Sequence, residues 1–167
     1  MTQGRGVQLN DKGIKMHLPR MVFMIAAVAA VPAGPVMAQD LGGDPTAGAQ
    51  VYKKCQVCHR IGPGAKNAVG PTHNGLIGRT AGTVEGFSYS PLNKHAGENG
   101  LVWTEQNIFD YLPDPSGFLK KFLTDKGKAD LATGSTKMSF KLADEKERKD
   151  VIAYIKQAGG TATAPTK

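Results

Sequence analysis

Two cysteines and a histidine lie close together near the middle of the sequence. They form the pattern Cys-x-x-Cys-His in Cys55-Gln56-Val57-Cys58-His59, which is the attachment signature of c-type haem. Two thiols on one helical turn can add to both vinyl groups of a single porphyrin. The adjacent histidine then lies beside the iron, where histidine binds in many haem proteins. The motif therefore predicts one haem c, bound covalently through Cys55 and Cys58, with His59 as an axial ligand.

Three other uses of this motif account for its residues less well than haem attachment does. A thioredoxin-like redox pair requires a strand–helix–strand context, which the flanking sequence lacks. A zinc site requires two further Cys or His ligands at finger-like spacing, and His73 and His95 do not provide that spacing. A structural disulfide suits an exported chain but leaves the adjacent histidine unexplained. Haem attachment accounts for all three residues of the motif.

The second axial ligand decides which reactions a haem can support. The candidates are Met138, His73, His95, Lys137 and an open position. A thioether ligand raises the reduction potential and is typical of electron transfer. Because Met138 lies in the polar loop Gly134–Phe140, it is poorly placed to fill a core. We therefore predict Met138 as the ligand, with His73 on the His59 side or in solvent, and His95 on the surface.

The amino-terminal segment has the three parts of a secretory signal. Basic residues precede an uncharged run from Met21 to Val31, and Val36-Met37-Ala38 supplies the small residues that signal peptidase recognises. The run is too short to span a bilayer. We predict a cleaved Sec-type signal peptide over residues 1–38 and no stable membrane insertion afterwards. Because bacterial c-type haem is attached outside the cytoplasm, the predicted location is the periplasm.

Removing the signal peptide changes the charge of the chain. The 167 residues carry 21 Lys+Arg and 14 Asp+Glu, a formal charge of +7. Four Lys/Arg and one Asp lie within residues 1–38, so the remaining 129 residues carry 17 basic and 13 acidic groups, formally +4. The lower charge of the mature chain weakens its interpretation as a nucleic-acid-binding protein. We therefore predict no nucleic-acid partner. Met138 is the only methionine of the mature chain.

Capping patterns and hydrophobic spacing predict a mostly helical chain. Helices are expected from about Pro45 to Cys55, after Thr104, after Asp114-Pro115, and from Asp144 to Gly159-Gly160. Residues 61–100 are rich in Gly, Pro, Asn and Ser and are predicted to form loops and turns. Loops this long require an organising element in so small a domain. The sequence predicts an all-α fold of four or five helices, with long loops wrapped around one haem.

Taken together, these features resemble the class I cytochromes c, and among them the bacterial cytochrome c2 type. The likeness covers about Asp40 to Gly160. It implies a cytochrome c domain over residues 39–160, followed by a flexible tail over 161–167. It also implies that residues 116–135 form an insertion relative to the compact mitochondrial form.

The resemblance also implies roles for individual residues. Pro71 would accept a hydrogen bond from His59, Arg79 and Tyr89 would lie near a haem propionate, and Phe140 would guard the exposed haem edge. The full set of implied cofactor-binding residues is Cys55, Cys58, His59, Pro71, Arg79, Tyr89, Asn93, Trp103, Tyr111, Thr136, Met138 and Phe140.

By the same resemblance, the protein is expected to be a soluble, monomeric electron carrier and not an enzyme. Its donor would be a quinol:cytochrome c oxidoreductase, and its acceptor a terminal oxidase, a photosynthetic reaction centre or a periplasmic reductase. Lysines around the haem edge would steer it to acidic docking faces of redox proteins; these are Lys54, Lys66, Lys120, Lys137 and Lys141. The alternatives are a haem peroxidase or gas-binding sensor with an open sixth site, and a dedicated electron-transfer subunit of a larger enzyme.

Overall fold

The structure is a computed structural model that describes Met1 and residues 40–161. The rest of the predicted signal peptide, and the predicted tail beyond Thr161, lie outside the described residues. Residues 40–161 fall within one compact unit. Its helices are α1 Pro45–Tyr52, α2 Pro91–Glu98, α3 Glu105–Tyr111, α4 Pro115–Asp125 and α5 Glu145–Gly159, with a short 3-10 helix at Ala129–Leu131. The predicted all-α fold is confirmed for this part of the chain.

Three helices begin with a polar residue followed by proline. The Asp44 carboxylate accepts a hydrogen bond from the Thr46 N–H at 2.8 Å ahead of α1, and the Ser90 hydroxyl accepts one from the Asn93 N–H at 3.3 Å ahead of α2. Asp114 likewise precedes Pro115 at the start of α4, although its side chain forms no capping hydrogen bond. Such caps satisfy an otherwise unpaired N–H, and proline at the first helical position loses no hydrogen bond.

Helix α2 corrects the prediction of loops and turns throughout residues 61–100, which is wrong over Pro91–Glu98. This helix carries few apolar residues, because its buried apolar side chains are only Leu92 and Ala96. Packing stabilises it instead. A Cβ at Gly97 would lie 1.9 Å from the Ala81 carbonyl oxygen, so the helix contacts that backbone directly.

Helix α1 ends at Tyr52, three residues before the predicted end at Cys55. Hydrogen-bonded turns continue the chain, with the Gln56 N–H donating to the Tyr52 carbonyl at 2.9 Å and the His59 N–H donating to the Cys55 carbonyl at 2.9 Å. The Cys58 N–H also donates to the Cys55 carbonyl, at 3.0 Å. The two thiols therefore still lie on one turn, although that turn follows the helix.

Helices α1 and α5 pack directly against each other. A Cβ at Gly48 would lie 1.9 Å from the Asp150 carbonyl oxygen, so only glycine fits at this crossing. The rings of Tyr52 and Tyr154 meet nearby, 5.1 Å apart. The buried Asp150 carboxylate accepts hydrogen bonds from Lys146 Nζ at 2.6 Å and from the Asp44 N–H at 2.9 Å. Gly48 and Tyr52 of α1 therefore meet Tyr154 of α5 at this crossing.

Much of the predicted insertion, residues 116–135, lies in α4 and the 3-10 helix. Leu119 and Leu123 are fully buried in the core, and α4 packs against α2 and α3. The four lysines of the insertion, Lys120, Lys121, Lys126 and Lys128, are exposed. No helix of residues 40–161 is long and apolar enough to cross a membrane.

Candidate haem site

A cavity of about 280 Å³ lies between the helices and the loops that follow α1 and α4. All twelve residues that the sequence predicted for the cofactor site line it: Cys55, Cys58, His59, Pro71, Arg79, Tyr89, Asn93, Trp103, Tyr111, Thr136, Met138 and Phe140. The fold thus gathers these residues from five separate chain segments around one space.

Both cysteines of the motif are free thiols and partly buried at the wall of this cavity. Burial raises the pKa of Cys55 to about 11, and the nearby Lys54 ammonium offsets this only in part. The Cys55 thiol is therefore protonated at neutral pH. Because neither cysteine forms a disulfide, the alternative of a structural disulfide has no support in the structure.

The ring of His59 is held by the segment Gly70–Pro71. Its Nδ1 lies 2.7 Å from the Pro71 carbonyl oxygen, and since a carbonyl can only accept, Nδ1 carries the proton. Burial lowers the pKa of His59, whereas the hydrogen bond to Pro71 acts in the opposite direction. The neutral ring then has its lone pair on Nε2, which is the form that binds a metal. A Cβ at Gly70 would lie 2.4 Å from Cε1 of this ring, so glycine is needed there.

His73 lies on the His59 side, one of the two places that the sequence left open. The two imidazole rings stack with centroids 4.1 Å apart and planes 22° apart. The Tyr52 hydroxyl and His73 Nδ1 share a hydrogen bond of 3.2 Å. Burial lowers the pKa of His73 well below its usual value, and charge on His59 and Arg79 acts in the same direction. The His73 ring is therefore neutral.

Polar side chains line another part of the cavity wall. The Arg79 guanidinium donates hydrogen bonds to the carbonyl oxygens of Asn74 at 3.0 Å and Thr72 at 3.1 Å. Burial raises the pKa of Tyr89, and the charge of Arg79 partly offsets this shift. The Oδ1 atom of Asn93 is buried and has no hydrogen-bond partner among the described residues. A buried orphan acceptor beside a cavity indicates a polar partner inside that cavity.

The loop that carries Met138 is fastened through Thr136. The Thr136 N–H donates to the Ser116 hydroxyl at 3.2 Å, and the Met138 N–H donates to the Thr136 hydroxyl at 3.4 Å. A side-chain hydrogen bond joins Tyr111 to Thr136, while burial raises the pKa of Tyr111 to about 12. Met138 is partly buried against the core. These contacts hold its thioether at the wall of the same cavity that His59 lines.

Sequence reasoning missed several features of the site. No sequence signal was recognised for the steric role of Gly70 or for the anchoring role of Ser116. The position of Gly70 directly before Pro71 is the signal that could have pointed to it. His95 does not line the cavity, but it is half-buried and its Nδ1 is buried without a partner, so the prediction of a surface residue is wrong. Lys137 lines the cavity, yet its ammonium group donates to the Ser88 carbonyl oxygen.

The residues at this cavity fit a haem c. The cavity wall carries two thiols on one turn, a histidine with a free Nε2, and a thioether. These are the groups that a covalently bound, six-coordinate haem requires. The remaining wall is mainly apolar and includes Leu76, Trp103, Ile108, Leu112, Val151 and Ile155. The orphan Oδ1 of Asn93 is consistent with a polar edge of the cofactor.

No family model matches the chain. The similar proteins and the similar solved structures, however, point to the same family. It is 63% identical to cytochrome c2 iso-2 of Rhodospirillum centenum over 115 residues, which are 69% of this chain and 95% of that protein. It is 56% identical to a cytochrome c2 of Rhodopseudomonas palustris over 135 residues, 80% of this chain and 92% of that protein. The solved structure of cytochrome c2 from Rhodospirillum centenum superposes with a TM-score of 0.69 at 62% identity, over 70% of this chain and 99% of that one.

These identities extend over more than two thirds of the chain. The fold, the motif and the relatives agree, and they imply a covalently bound haem c with Cys55 and Cys58 as the available thiols. The chain therefore belongs to the cytochrome c2 family of bacterial class I c-type cytochromes, which are single-haem electron carriers.

Proposed function

We propose that the mature chain is a periplasmic carrier that accepts one electron at a time from a quinol:cytochrome c oxidoreductase. It would pass the electron to a terminal oxidase, a photosynthetic reaction centre or a periplasmic reductase. The observation that carries the proposal is the shared cavity of His59 and Met138, beside two free thiols. A nitrogen and a thioether ligand together leave no open position for substrate chemistry and favour electron transfer.

Four residues would hold the cofactor in this proposal. Cys55 and Cys58 would form the thioether links, and His59 through Nε2 and Met138 through its sulfur would be the axial ligands. When bound, the haem supplies a one-electron couple between the ferric and ferrous states of its iron.

Other residues keep the two proposed ligands in place. Pro71 fixes the protonated nitrogen of His59, and contacts of this kind set both the orientation and the basicity of a metal-binding histidine. Thr136 fastens the Met138 loop to Ser116 and Tyr111. Because neither of these contacts involves the iron, they would hold both ligands in either oxidation state, and little of the protein would have to rearrange. Arg79 supplies a half-buried positive charge at the cavity, suited to the acidic groups that a haem carries.

The mouth of the cavity has an exposed apolar surface suited to transient docking. Phe140 is 39% exposed at the cavity wall, Val69 is 77% exposed, and Val57 within the motif is 73% exposed. Electrons would enter and leave here, near Cys55, Cys58 and Phe140. A small apolar patch surrounded by charge favours weak, fast association.

The lysines proposed to steer docking differ in their surroundings. Lys54 pairs with Glu147 at 2.7 Å, Lys141 pairs with Asp114 at 3.0 Å, and Lys137 is bonded to Ser88. Because the Ser88 carbonyl is neutral, Lys137 forms no ion pair within residues 40–161, and the same holds for the exposed Lys66 and Lys120. These three lysines therefore contribute the least compensated positive charge to the proposed attraction of acidic partners.

The axial-ligand assignment is tested by the near-infrared charge-transfer band of an iron–sulfur bond in the ferric protein. We expect the wild-type protein to show this band and Met138→Ala to lose it. Ser139→Ala, a neighbour on the same cavity wall, is the matched control and should keep the band. A wild-type protein without the band, or Met138→Ala with it, would exclude Met138 as the ligand.

Carbon monoxide binding separates the carrier from a peroxidase or gas sensor. A ferrous iron with both positions filled by His59 and Met138 should bind carbon monoxide slowly, at a rate set by loss of the thioether ligand. Rapid binding by the native protein would contradict the carrier proposal. Export is tested separately, because the periplasmic form should begin at Gln39.

Docking is tested by the rate of electron transfer to an acidic redox protein at increasing ionic strength. The rate should fall steeply as salt screens the attraction. Lys66→Gln should lower the rate at low salt by about twofold or more. Lys121→Gln, whose lysine is already paired with Asp125 at 2.7 Å, should have little effect. A rate that is independent of salt would refute electrostatic docking.

A further inference from the structure

A line of four aromatic rings connects the crossing of α1 and α5 to the proposed ligand His59. The ring of Tyr154 in α5 lies 5.1 Å from that of Tyr52 in α1. Tyr52 meets His73 edge-on, with centroids 5.7 Å apart and a hydrogen bond of 3.2 Å between its hydroxyl and His73 Nδ1. His73 in turn stacks on His59 at 4.1 Å. The proposed ligand is thus coupled to the most closely packed helix pair of the fold.

His73 lines the cavity, but two of its polar groups are occupied by contacts within the protein. Its Nδ1 is occupied by the Tyr52 hydroxyl, and its backbone N–H donates to the Arg60 carbonyl at 2.9 Å. The close contact between the His73 carbonyl oxygen and Gly159, where a Cβ would lie only 2.8 Å away, fixes the same residue against the end of α5. A ring held on so many sides presents a rigid surface to its neighbour.

The His59 ring is accordingly restrained by three residues of one short segment. Gly70 leaves no space at Cε1, Pro71 accepts from Nδ1, and His73 covers a ring face. The Pro71 hydrogen bond acts at the ring edge, whereas a Cβ at Gly70 would lie 2.7 Å from Nδ1 and 2.8 Å from Nε2 and therefore over a ring face. The backbone at Gly70 and the stacked imidazole of His73 therefore both resist rotation out of the ring plane, and His73 is the one that does so with an aromatic ring.

We propose that His73 is a positioning residue that holds the His59 imidazole in one orientation and, through the stacked contact, lowers the reduction potential of the haem that His59 binds. The proposal rests on the proposed function, in which His59 is an axial ligand. It assigns to Tyr52 the task of holding His73 in place.

The direction of the effect follows from the charge of the metal–ligand unit. The electron-rich face of a neutral aromatic ring stabilises a neighbouring positive charge, and stacked aromatic pairs gain further from complementary charge distributions. The ferric state has one more positive charge than the ferrous state, so His73 stabilises the ferric state more. Leucine has a comparable volume but no π-system and no ring dipole, so it would lose this preference.

The test compares reduction potentials and ferric proton NMR spectra of the haem-loaded wild-type protein and three variants. His73→Leu should shift the equilibrium towards the ferrous state by about two- to fivefold, or about 20–40 mV at 59 mV per tenfold for a one-electron couple. The hyperfine-shifted resonances of the His59 ring, which report its orientation, should move as well. Tyr52→Phe retains the stack but frees His73, and should give a smaller shift in the same direction.

His95→Leu is the matched control, because His95 is also a half-buried histidine but, unlike His73, does not line the cavity. We expect it to leave both readouts unchanged. Wild-type behaviour of His73→Leu in both readouts would overturn the proposal, as would equal shifts in His73→Leu and His95→Leu. If His73→Leu does not fold, Tyr52→Phe provides the test. A shift of both readouts in the expected direction supports the proposal, and wild-type behaviour in both overturns it. The iron–sulfur band reports on Met138 and not on His73, so failure of the proposed function is recognised separately.

Discussion

Replacing Gly70 by alanine is the smallest change that should displace the proposed ligand His59. Gly70 does not have the positive φ that would itself disfavour alanine, so the substitution adds only a methyl group. That Cβ would lie 2.4 Å from Cε1, 2.7 Å from Nδ1 and 2.8 Å from Nε2 of the His59 ring. The methyl group would therefore overlap the His59 ring itself, because the three atoms nearest to it all belong to that ring.

The size of the effect can be worked out from these distances. An ordinary carbon–carbon contact is about 3.5 Å, so the ring must move by about 1 Å. Such a movement is enough to break the 2.7 Å hydrogen bond from Nδ1 to the Pro71 carbonyl oxygen. Overpacking costs about 1–3 kcal/mol, and the lost hydrogen bond adds about 0.5–1.5 kcal/mol. We expect Gly70→Ala to lower the free energy of unfolding by about 2–4 kcal/mol.

The assay is guanidinium unfolding of the haem-loaded protein, followed by Trp103 fluorescence, which the haem quenches in the folded state. Gly117→Ala is the matched control in α4. Its Cβ would lie 2.2 Å from Oδ2 of Asp114, but that carboxylate is exposed on a flexible side chain and can move away, losing at most its exposed ion pair with Lys141, which contributes little to stability. Because alanine favours a helix by up to about 1 kcal/mol over glycine, this control should be neutral or stabilising.

The two variants together separate a specific clash from a general effect of replacing glycine. If Gly70→Ala were as stable as the wild-type protein and kept its ferric spectrum, the His59 ring could not lie against Gly70. The assigned contacts of His59 with Gly70 and Pro71 would then be incorrect.

Three further changes test the surroundings of the site. Gly48→Ala should lower the free energy of unfolding by about 3 kcal/mol or more, because its Cβ would lie 1.9 Å from the Asp150 carbonyl oxygen. Denaturant unfolding measures this loss. A loss below about 0.5 kcal/mol would contradict the close crossing of α1 and α5. The pKa of Asp150 is lowered in the folded state, mainly by Lys146 and to a smaller extent by the hydrogen bond from the Asp44 N–H. The folded state therefore favours the ionised carboxylate, and the free energy of unfolding should fall as the pH drops below about 4. Asp150→Asn should flatten that part of the stability–pH curve, and an unchanged slope would refute the assignment. Ser116→Ala removes the acceptor of the Thr136 N–H, so added imidazole should displace the thioether ligand about two- to tenfold faster in stopped-flow measurements, and an unchanged rate would argue against this anchor.

Much of the site could be predicted because its chemistry is local in the sequence. Cys55, Cys58 and His59 are neighbours, and their spacing follows from the size of a porphyrin and the rise of one turn. Helix starts at Asp44-Pro45, Thr104 and Asp144 were also visible, since a capping side chain acts within three residues of its own position. The structure places all of them as expected.

The parts that could not be predicted depend on contacts between distant segments. Helix α2 has the same type of start as α1, Ser90-Pro91, but its packing relies on Gly97 fitting against Ala81, which no periodic pattern reveals. His73 could not be assigned because its partners, Tyr52 and His59, meet it only in the folded chain. Ion pairing between distant residues, such as Lys54 with Glu147, likewise decides which lysines carry uncompensated charge.

The relation between the core and the cavity explains why so loop-rich a chain can fold at all. Seven of the eighteen buried hydrophobic residues in the described range also line the cavity: Leu76, Trp103, Ile108, Tyr111, Leu112, Val151 and Ile155. A side chain facing a cavity gains little from burial unless something fills that space. The long segment between α1 and α2 has no helix of its own and contributes Gly70, Pro71 and Arg79 to the cavity wall. The cofactor would therefore complete the hydrophobic core as well as supply the redox chemistry, so that the residues that tune the potential are also those that determine stability.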